Sequence, residues 1–247
     1  MTSESAPRQV ENLAGQRRLR VLVLGANGPS GRRTVQQALQ RGLQVEALTR
    51  HPESFPIQNE RLHVIAGDAT DPSVIDAAVA ACDAVVSVIG TAYTRQPVTV
   101  YSASVELVIA AMRRHGPRRL IVVTSSGVIP AQQRRDLSGV GRILHRVARK
   151  TYGRTVYDDM DQMETLVVAS ELDWTIVRPP GLTDEPGTGY ATAENFIEGN
   201  YCARDDLAAM LLDQLNDENY KQRIAAVTTP GLQVKTLQTI RRELLKR

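Results

Sequence analysis

The sequence predicts a single α/β domain built on a doubly wound parallel sheet. Short apolar runs alternate with amphipathic segments, and Gly, Pro or Asp stands at most of the junctions between them. Runs of this kind suit strands that helices cover on both faces. We expect residues 1–18 to form a flexible lead-in and residues 19–247 to form the domain, with a small C-terminal substrate-binding portion.

Predicted strands and helices follow one another from residue 20 onward. Strands are predicted at Arg20–Leu24, Gln44–Thr49, Leu62–Ala66, Ala84–Ile89, Leu120–Thr124, Trp174–Val177 and Ile224–Thr228. Helices are predicted at Gly31–Arg41, Pro72–Ala81, Val98–His115, Asp158–Ser170, Asp205–Asn216 and Thr236–Lys246. Residues 126–150 show no regular period, and we expect them to border a binding pocket.

Composition and charge argue against several classes of protein. The net charge is only +3, so we expect no polybasic surface for nucleic acid. No apolar run approaches the roughly 20 residues that cross a bilayer, so we expect no membrane partner. Cys82, Cys202 and the four scattered histidines show no metal-ligand spacing. We therefore expect no metal site and a reducing, cytoplasmic setting.

A glycine-rich turn joins the first predicted strand to the first predicted helix. It reads Gly-Ala-Asn-Gly-Pro-Ser-Gly over residues 25–31. Gly25 permits a tight turn, Gly28 lets the backbone approach a pyrophosphate, and Gly31 lets the helix pack close to the sheet. The N–H groups at the helix start would then face the phosphates. The turn predicts a Rossmann-type dinucleotide-binding domain.

An arginine follows the second predicted strand, where NAD-specific proteins of this fold carry an acid. About 20 residues past the glycines the chain reads Ala-Leu-Thr-Arg and ends on Arg50. A carboxylate would repel a 2′-phosphate, whereas a guanidinium binds it through two hydrogen bonds. Arg50 is therefore the predicted 2′-phosphate ligand, with Arg32 or Arg33 as helpers, and NADP(H) is favoured over NAD(H).

Several blocks of sequence together resemble one protein family. They are Gly25–Gly31, Leu48–Arg50, Gly67–Asp68, Asp83–Thr91, Ala110–Gly116, Thr124–Ser125, Asp158–Asp159 and Pro179–Tyr190. The chain is similar to the atypical short-chain dehydrogenase/reductases, and within them to the biliverdin-IX-beta and flavin reductases, over most of residues 20–230. The resemblance implies an NADPH-dependent reductase that transfers hydride directly to a small-molecule acceptor, as a monomer or small homo-oligomer.

The resemblance and the fold together assign the site residues. A serine beside the nicotinamide is implied after the fifth strand, so Ser125 is the predicted catalytic residue. Asp68 is the expected partner of the adenine amino group, and Gly90 lets the backbone pass close to the cofactor. The predicted cofactor-binding residues are Gly25, Asn27, Gly28, Pro29, Ser30, Gly31, Arg50, Asp68, Ala69, Ile89, Gly90, Thr91, Thr124 and Pro179.

Residues that the related enzymes use for acid–base chemistry are replaced in this chain. Typical short-chain dehydrogenases carry a lysine four residues after a tyrosine, but Tyr157 is followed at that spacing by Asp161. Met160 and Gly181 stand where the biliverdin-type enzymes carry histidines. We therefore expect a changed acceptor pocket. Hydride transfer to a flavin remains compatible, because the flavin takes its proton from water.

Three functions remain open from the sequence. The first is reduction of a flavin, a quinone or another conjugated acceptor by NADPH. The second is NADP(H) sensing without catalysis, as in the nitrogen-metabolite-repression regulators of the same superfamily. The third is an epimerase or dehydratase, which would need an acid–base pair around Asp159, Asp161 or Glu164. Otherwise these acids are expected to complement the dipole of their helix.

Overall fold

Strands and helices alternate along most of the chain. The computed structural model describes residues 18–94, 96–129 and 154–232. The strands are β1 Arg20–Leu24, β2 Gln44–Thr49, β3 Leu62–Ala66, β4 Ala84–Ser87, β5 Arg119–Val123, β6 Asp173–Arg178, β7 Gly181–Thr183, β8 Ala191–Glu194, β9 Tyr201–Ala203 and β10 Arg223–Thr228. The helices are α1 Pro29–Gln40, α2 Pro72–Ala80, α3 Val100–His115, α4 Arg154–Val168 and α5 Arg204–Asp213, with short 3-10 turns at Pro52–Ser54 and Ser126–Val128.

The central sheet has eight strands in the order β3-β2-β1-β4-β5-β6-β10-β8. All neighbouring pairs are parallel except β10 with β8, which is antiparallel. The order reverses between β1 and β4, and this reversal confirms the predicted doubly wound sheet. The antiparallel edge strand was not predicted, but such a strand is common on an otherwise parallel sheet. β7 and β9 form a separate parallel pair.

The two faces of the sheet carry two hydrophobic clusters. Alternate residues of a strand point to opposite faces, so Leu22 and Leu24 of β1 pack on the side of α2, α3 and α4. Val21 and Val23 of the same strand pack on the side of α1 and α5. This two-sided burial explains why the strands read as continuous apolar runs. No helix in the described ranges is long and apolar enough to cross a membrane.

The predicted elements agree with the structure over the first half of the chain. Strands at Arg20–Leu24, Gln44–Thr49 and Leu62–Ala66 are confirmed with the predicted bounds. The fourth strand ends at Ser87 and not at Ile89, because the chain there turns toward the glycine-rich loop. β7, β8 and β9 were missed, since three or four residues are too few to show a period. The predicted helix Thr236–Lys246 lies outside the described residues.

Helix α3 takes its N-terminal cap from another helix. Thr99, at the N-cap position, makes no side-chain capping bond. The carboxylate of Asp159 on α4 accepts hydrogen bonds from the backbone N–H of Tyr101 at 2.9 Å and of Ser102 at 3.2 Å. It also accepts the hydroxyl of Ser102. Asp159 is only 3% exposed, so this cap ties two helices together in a dry environment.

Replacing Asp159 by Ala is expected to destabilise the fold by about 2–3 kcal/mol, because buried donors on α3 lose a charged acceptor. Its neighbour Asp158 offers a matched control, since its side chain is 61% exposed and lies 3.5 Å from Arg154. Asp158→Ala should change stability by less than about 0.5 kcal/mol. Urea unfolding measures both variants, and equal midpoints would show that Asp159 is not the cap.

Candidate functional site

The predicted site residues follow the ends of six parallel strands. Gly25 follows β1, Arg50 follows β2, Asp68 lies just beyond β3, Ile89 lies just beyond β4, and Ser125 lies just beyond β5. Pro179 directly follows β6. Because these strands are parallel neighbours, their carboxyl ends share one edge of the sheet, which is where ligands bind in open α/β folds. The fold therefore brings the predicted set to one edge.

The glycine-rich turn packs directly on the chain that leaves β4. Gly25 has φ of +76°, and a Cβ there would lie 2.9 Å from the backbone of Ile89. A Cβ on Gly31 would overlap the carbonyl oxygen of Gly25 and lie 2.7 Å from that of Ala26. Side chains are thus excluded at both positions by backbone atoms, which cannot move aside cheaply.

The start of α1 presents backbone N–H groups to the site. Gly28 is the N-cap residue, and its N–H donates to the carbonyl of Gly25 at 3.0 Å. Pro29 occupies the first turn, no side chain caps the helix, and the first turn carries no acid. The first N–H groups of a helix have no acceptor within the helix. This helix end can therefore receive an anion such as a pyrophosphate.

Basic side chains lie where β2 ends. Asn27 donates to Ser54 Oγ at 2.9 Å and accepts from Arg32 Nε at 2.9 Å, which holds Arg32 beside this strand end. Arg50 is exposed there. Arg33 instead lies 3.5 Å from the carboxylate of Asp205 on α5. Of the two predicted helpers, the structure thus directs Arg32 toward this region and Arg33 toward α5.

Asp68 is held ionised at the end of β3. Its Oδ1 accepts the hydroxyl of Thr70 at 2.7 Å and the backbone N–H of Thr70 at 2.8 Å. These hydrogen bonds, the hydroxyl first, lower the pKa of Asp68 below its ordinary value, and the charge of Arg50 lowers it further. Ala69, between Asp68 and Thr70, is half-buried.

The chain beyond β4 is hydrogen-bonded to α3 at Thr91 and has space beside it at Gly90. The backbone N–H of Thr91 donates to the hydroxyl of Tyr101 on α3 at 3.1 Å. Among the described residues, a Cβ on Gly90 would meet no atom within 4 Å beyond its two chain neighbours. The backbone therefore passes this point with space beside it.

The ends of β5 and β6 are joined by hydrogen bonds. Ser126 N–H donates to the carbonyl of Pro179 at 2.8 Å, and Ser125 Oγ accepts the N–H of Gly127 at 3.0 Å. The hydroxyl of Thr124 donates to Glu164 Oε1 at 2.8 Å, so this predicted cofactor residue directs its side chain toward α4. The predicted irregular segment 126–150 begins with the 3-10 turn Ser126–Val128, and residues 130–150 lie outside the described part of the chain.

The acids of α4 serve the structure. Asp159 caps α3, as described above. Glu164 is 8% exposed and forms a two-pronged ion pair with Arg178, whose Nε lies 3.0 Å from Glu164 Oε1. The sequence had predicted a role for these acids at the start of their own helix. That prediction is wrong for Asp159 and Glu164, because burial turns both carboxylates inward to neighbouring elements.

Two tyrosines that the sequence analysis did not place at the site also lie at this edge. Tyr157 on α4 packs its ring against Gly127, and its hydroxyl lies 2.9 Å from the hydroxyl of Tyr93, which follows β4. The ring centroids are 6.0 Å apart. Tyr157 was tested only for a lysine four residues on. The predicted helix began at Asp158, one residue after Tyr157, so no sequence signal placed Tyr157 beside the Ser125 turn.

An open cleft of about 710 Å³ lies at the opposite edge, where the strands begin. Arg119 at its base donates to the carbonyls of Gln214 and Asp173 and to Thr175 Oγ1, each at 2.7 Å. Burial lowers the pKa of Arg119 to about 10, so it remains charged at neutral pH. Its donors serve the fold, and the cleft lies away from the carboxyl ends where ligands of open α/β sheets bind.

Comparison with known proteins agrees with this geometry. A family model described as NAD(P)H-binding matches residues 25–218. The chain belongs to this NAD(P)H-binding family. The uncharacterized sugar epimerase YhfK of Bacillus subtilis is 27% identical over 225 residues, which cover 85% of this chain and 94% of YhfK.

Solved structures place the fold among short-chain reductases. ChuY, an anaerobilin reductase of Escherichia coli O157:H7, is 27% identical with a TM-score of 0.71, covering 87% of this chain and 99% of ChuY. A short-chain dehydrogenase/reductase of Veillonella parvula, solved in complex with NADP, is 20% identical with a TM-score of 0.70, covering 86% and 95% of the two chains. The predicted Rossmann-type fold and the resemblance to atypical short-chain reductases are confirmed.

The space around two glycines predicts opposite responses to an added methyl group. Gly31→Ala should destabilise the protein by about 1–3 kcal/mol or more and abolish dinucleotide binding, because its Cβ overlaps backbone carbonyls. Gly90→Ala should leave stability unchanged, because its Cβ enters open space. Urea unfolding compares both variants with the native chain. A Gly31→Ala protein as stable as the native one would contradict the packing described for the turn.

Proposed function

We propose that the protein is an NADPH-dependent reductase that transfers hydride to a flavin, a quinone or another conjugated small molecule. The observation that carries this proposal is the alignment of the glycine-rich turn, Arg50 and Ser125 along one sheet edge. A dinucleotide stretched along that edge places its pyrophosphate at α1 and its nicotinamide toward Ser125. The bound dinucleotide supplies the hydride, and the protein supplies orientation and charge.

The residues at the end of β2 support NADP(H) over NAD(H). Arg50 and the side chain of Arg32 offer guanidinium groups to a 2′-phosphate. The acid nearest in sequence after β2, Glu53, lies 3.5 Å from Nδ1 of His51 and is itself exposed. Further along the same edge, the ionised Asp68 can accept the adenine amino group, while Ile89, Gly90 and Thr91 border the cofactor. Pro179 and Thr124 are the proposed neighbours of the nicotinamide at the other end of the cofactor.

The segment from β7 to β9 forms the proposed acceptor-binding portion. Asp206 on α5 is 6% exposed and accepts the backbone N–H of Thr188 at 3.3 Å and of Gly189 at 3.1 Å. These bonds hold the loop after β7 against the domain. Gly181, which replaces the histidine of the biliverdin-type enzymes, lies against Tyr201. The acceptor would therefore meet a surface different from that of the tetrapyrrole reductases.

A cytoplasmic location is part of the proposal. Cys82 and Cys202 are both buried free thiols. Burial raises the pKa of each to about 12, so neither carries a reactive thiolate at neutral pH. Two inert, unpaired cysteines fit a reducing compartment.

An epimerase is the second candidate, and the similarity to YhfK is the observation that favours it. Such an enzyme would need an acid–base pair, but Asp159 accepts hydrogen bonds from α3 and Glu164 forms an ion pair with Arg178. These contacts argue against a role for either acid in proton transfer. An epimerase returns the hydride to its substrate and so consumes no NADPH. Net oxidation of NADPH therefore separates the two candidates.

The deciding experiment follows NADPH and NADH in the reduced-nicotinamide absorbance band while FMN, riboflavin or a simple quinone is added. The proposal predicts protein-dependent oxidation with a clear preference for NADPH. Saturable NADP⁺ binding without turnover of any acceptor would favour the sensing function. The absence of any dinucleotide binding would contradict the proposed site as a whole.

Arg50→Ala tests the proposed cofactor preference within the same assay. Loss of a charged hydrogen-bond partner should weaken NADPH binding by about 10- to 100-fold and leave NADH binding nearly unchanged. Arg33→Ala is the matched control, because Arg33 is paired with Asp205. An unchanged preference in Arg50→Ala would remove Arg50 from the 2′-phosphate site.

A further inference from the structure

The hydroxyl of Tyr157 lies beside the turn that follows β5. A Cβ on Gly127 would be 2.5 Å from Cε1 and 2.6 Å from Oη of Tyr157, so the phenol packs directly against this glycine. The N–H of Gly127 in turn donates to Ser125 Oγ at 3.0 Å. One short turn therefore connects the phenol to the serine proposed to lie beside the nicotinamide.

Tyr93 connects the same phenol to solvent. It follows β4, is 61% exposed, and places its hydroxyl 2.9 Å from that of Tyr157. The loop that carries it is fastened to α4, since Thr155 Oγ1 donates to the carbonyl of Thr94 at 3.1 Å. The two hydroxyls thus form a hydrogen-bonded pair that links the site to a largely exposed tyrosine.

We propose that Tyr157 is the catalytic proton donor of the reductase and that Tyr93 relays the replacement proton from solvent. This inference rests on the proposed function and concerns quinones and conjugated carbonyl compounds, the acceptors whose oxygen becomes negative as it gains hydride. The acceptor oxygen takes the phenolic proton of Tyr157, Tyr157 takes that of Tyr93, and Tyr93 takes one from water. The hydride comes from the dihydronicotinamide, so no further reductant is needed.

The hydroxyl pair can replace the lysine that typical short-chain dehydrogenases use. When Tyr93 donates its hydrogen bond, it stabilises the negative charge left on Tyr157 as the proton departs. The proton of Tyr157 then points to the acceptor and not to its partner. The absence of a lysine at position 161 is therefore compatible with general acid catalysis at this helix.

Tyr157→Phe tests the inference with two acceptors that differ in their need for a proton donor. Quinone reduction should lose about 100-fold or more in kcat, the usual contribution of a general acid. FMN reduction should stay within about threefold, because the flavin takes its proton from water. Tyr93→Phe should lower quinone turnover by about tenfold and also spare FMN.

Thr165→Val is the control, because it removes an exposed hydroxyl bond, 2.9 Å long to the carbonyl of Asp161, further along the same helix. Calorimetry gives a readout independent of turnover. Quinone binding to the NADP⁺ complex, where no hydride is available, should weaken by about two- to tenfold in Tyr157→Phe, whereas NADP⁺ binding should stay unchanged.

Several outcomes would overturn the inference. Unchanged quinone turnover in Tyr157→Phe would overturn the inference and leave the proposed function standing. Equal losses with quinone and FMN, or an equal loss in Thr165→Val, would do the same. A native protein that reduces FMN but no quinone would overturn it and leave the proposed function standing. A native protein that binds NADP⁺ but oxidises NADPH with neither acceptor would overturn the proposed function, and the tyrosine proposal with it.

Discussion

The close contact between the turn after β1 and the chain leaving β4 is the constraint on which the site depends. Gly25 meets the backbone of Ile89, and Gly31 meets the carbonyl of Gly25, with no room for a side chain at either position. This contact brings the start of α1 over the reversal of strand order between β1 and β4. The N–H groups of α1 and the chain at Gly90 consequently lie at the same edge of the sheet, where ligands of open α/β folds bind.

Buried polar contacts between elements support this edge of the sheet. Asp159 fixes α3 to α4, and Glu164 fixes α4 to Arg178 at the end of β6 and to Thr124 beyond β5. A buried charge of this kind is costly unless it is fully hydrogen-bonded, so these partners define one arrangement of α4. The same arrangement presents Tyr157 to Gly127. The acids that looked like catalytic candidates therefore position the tyrosine that we propose for catalysis.

Local sequence signals predicted the longer strands, the glycine-rich turn and the sheet edge that carries the site. Arg20–Leu24 and Gln44–Thr49 were recovered because apolar residues and flanking glycines are local signals. The role of Asp159 was not recoverable in this way, because its partners on α3 lie 57 and 58 residues away. The Tyr93–Tyr157 pair spans 64 residues and depends equally on how α4 packs. Contacts across such distances follow from the packing of the sheet and not from any periodicity.

Amide hydrogen exchange with and without saturating NADP⁺ tests most directly whether this edge of the sheet is the functional site. The account predicts slower exchange at residues 25–31, at Ile89–Thr91 and around Ser125–Gly127, along the carboxyl ends of the strands. Protection confined to the opposite cleft around Arg118 and Lys221, or no protection at all, would contradict it.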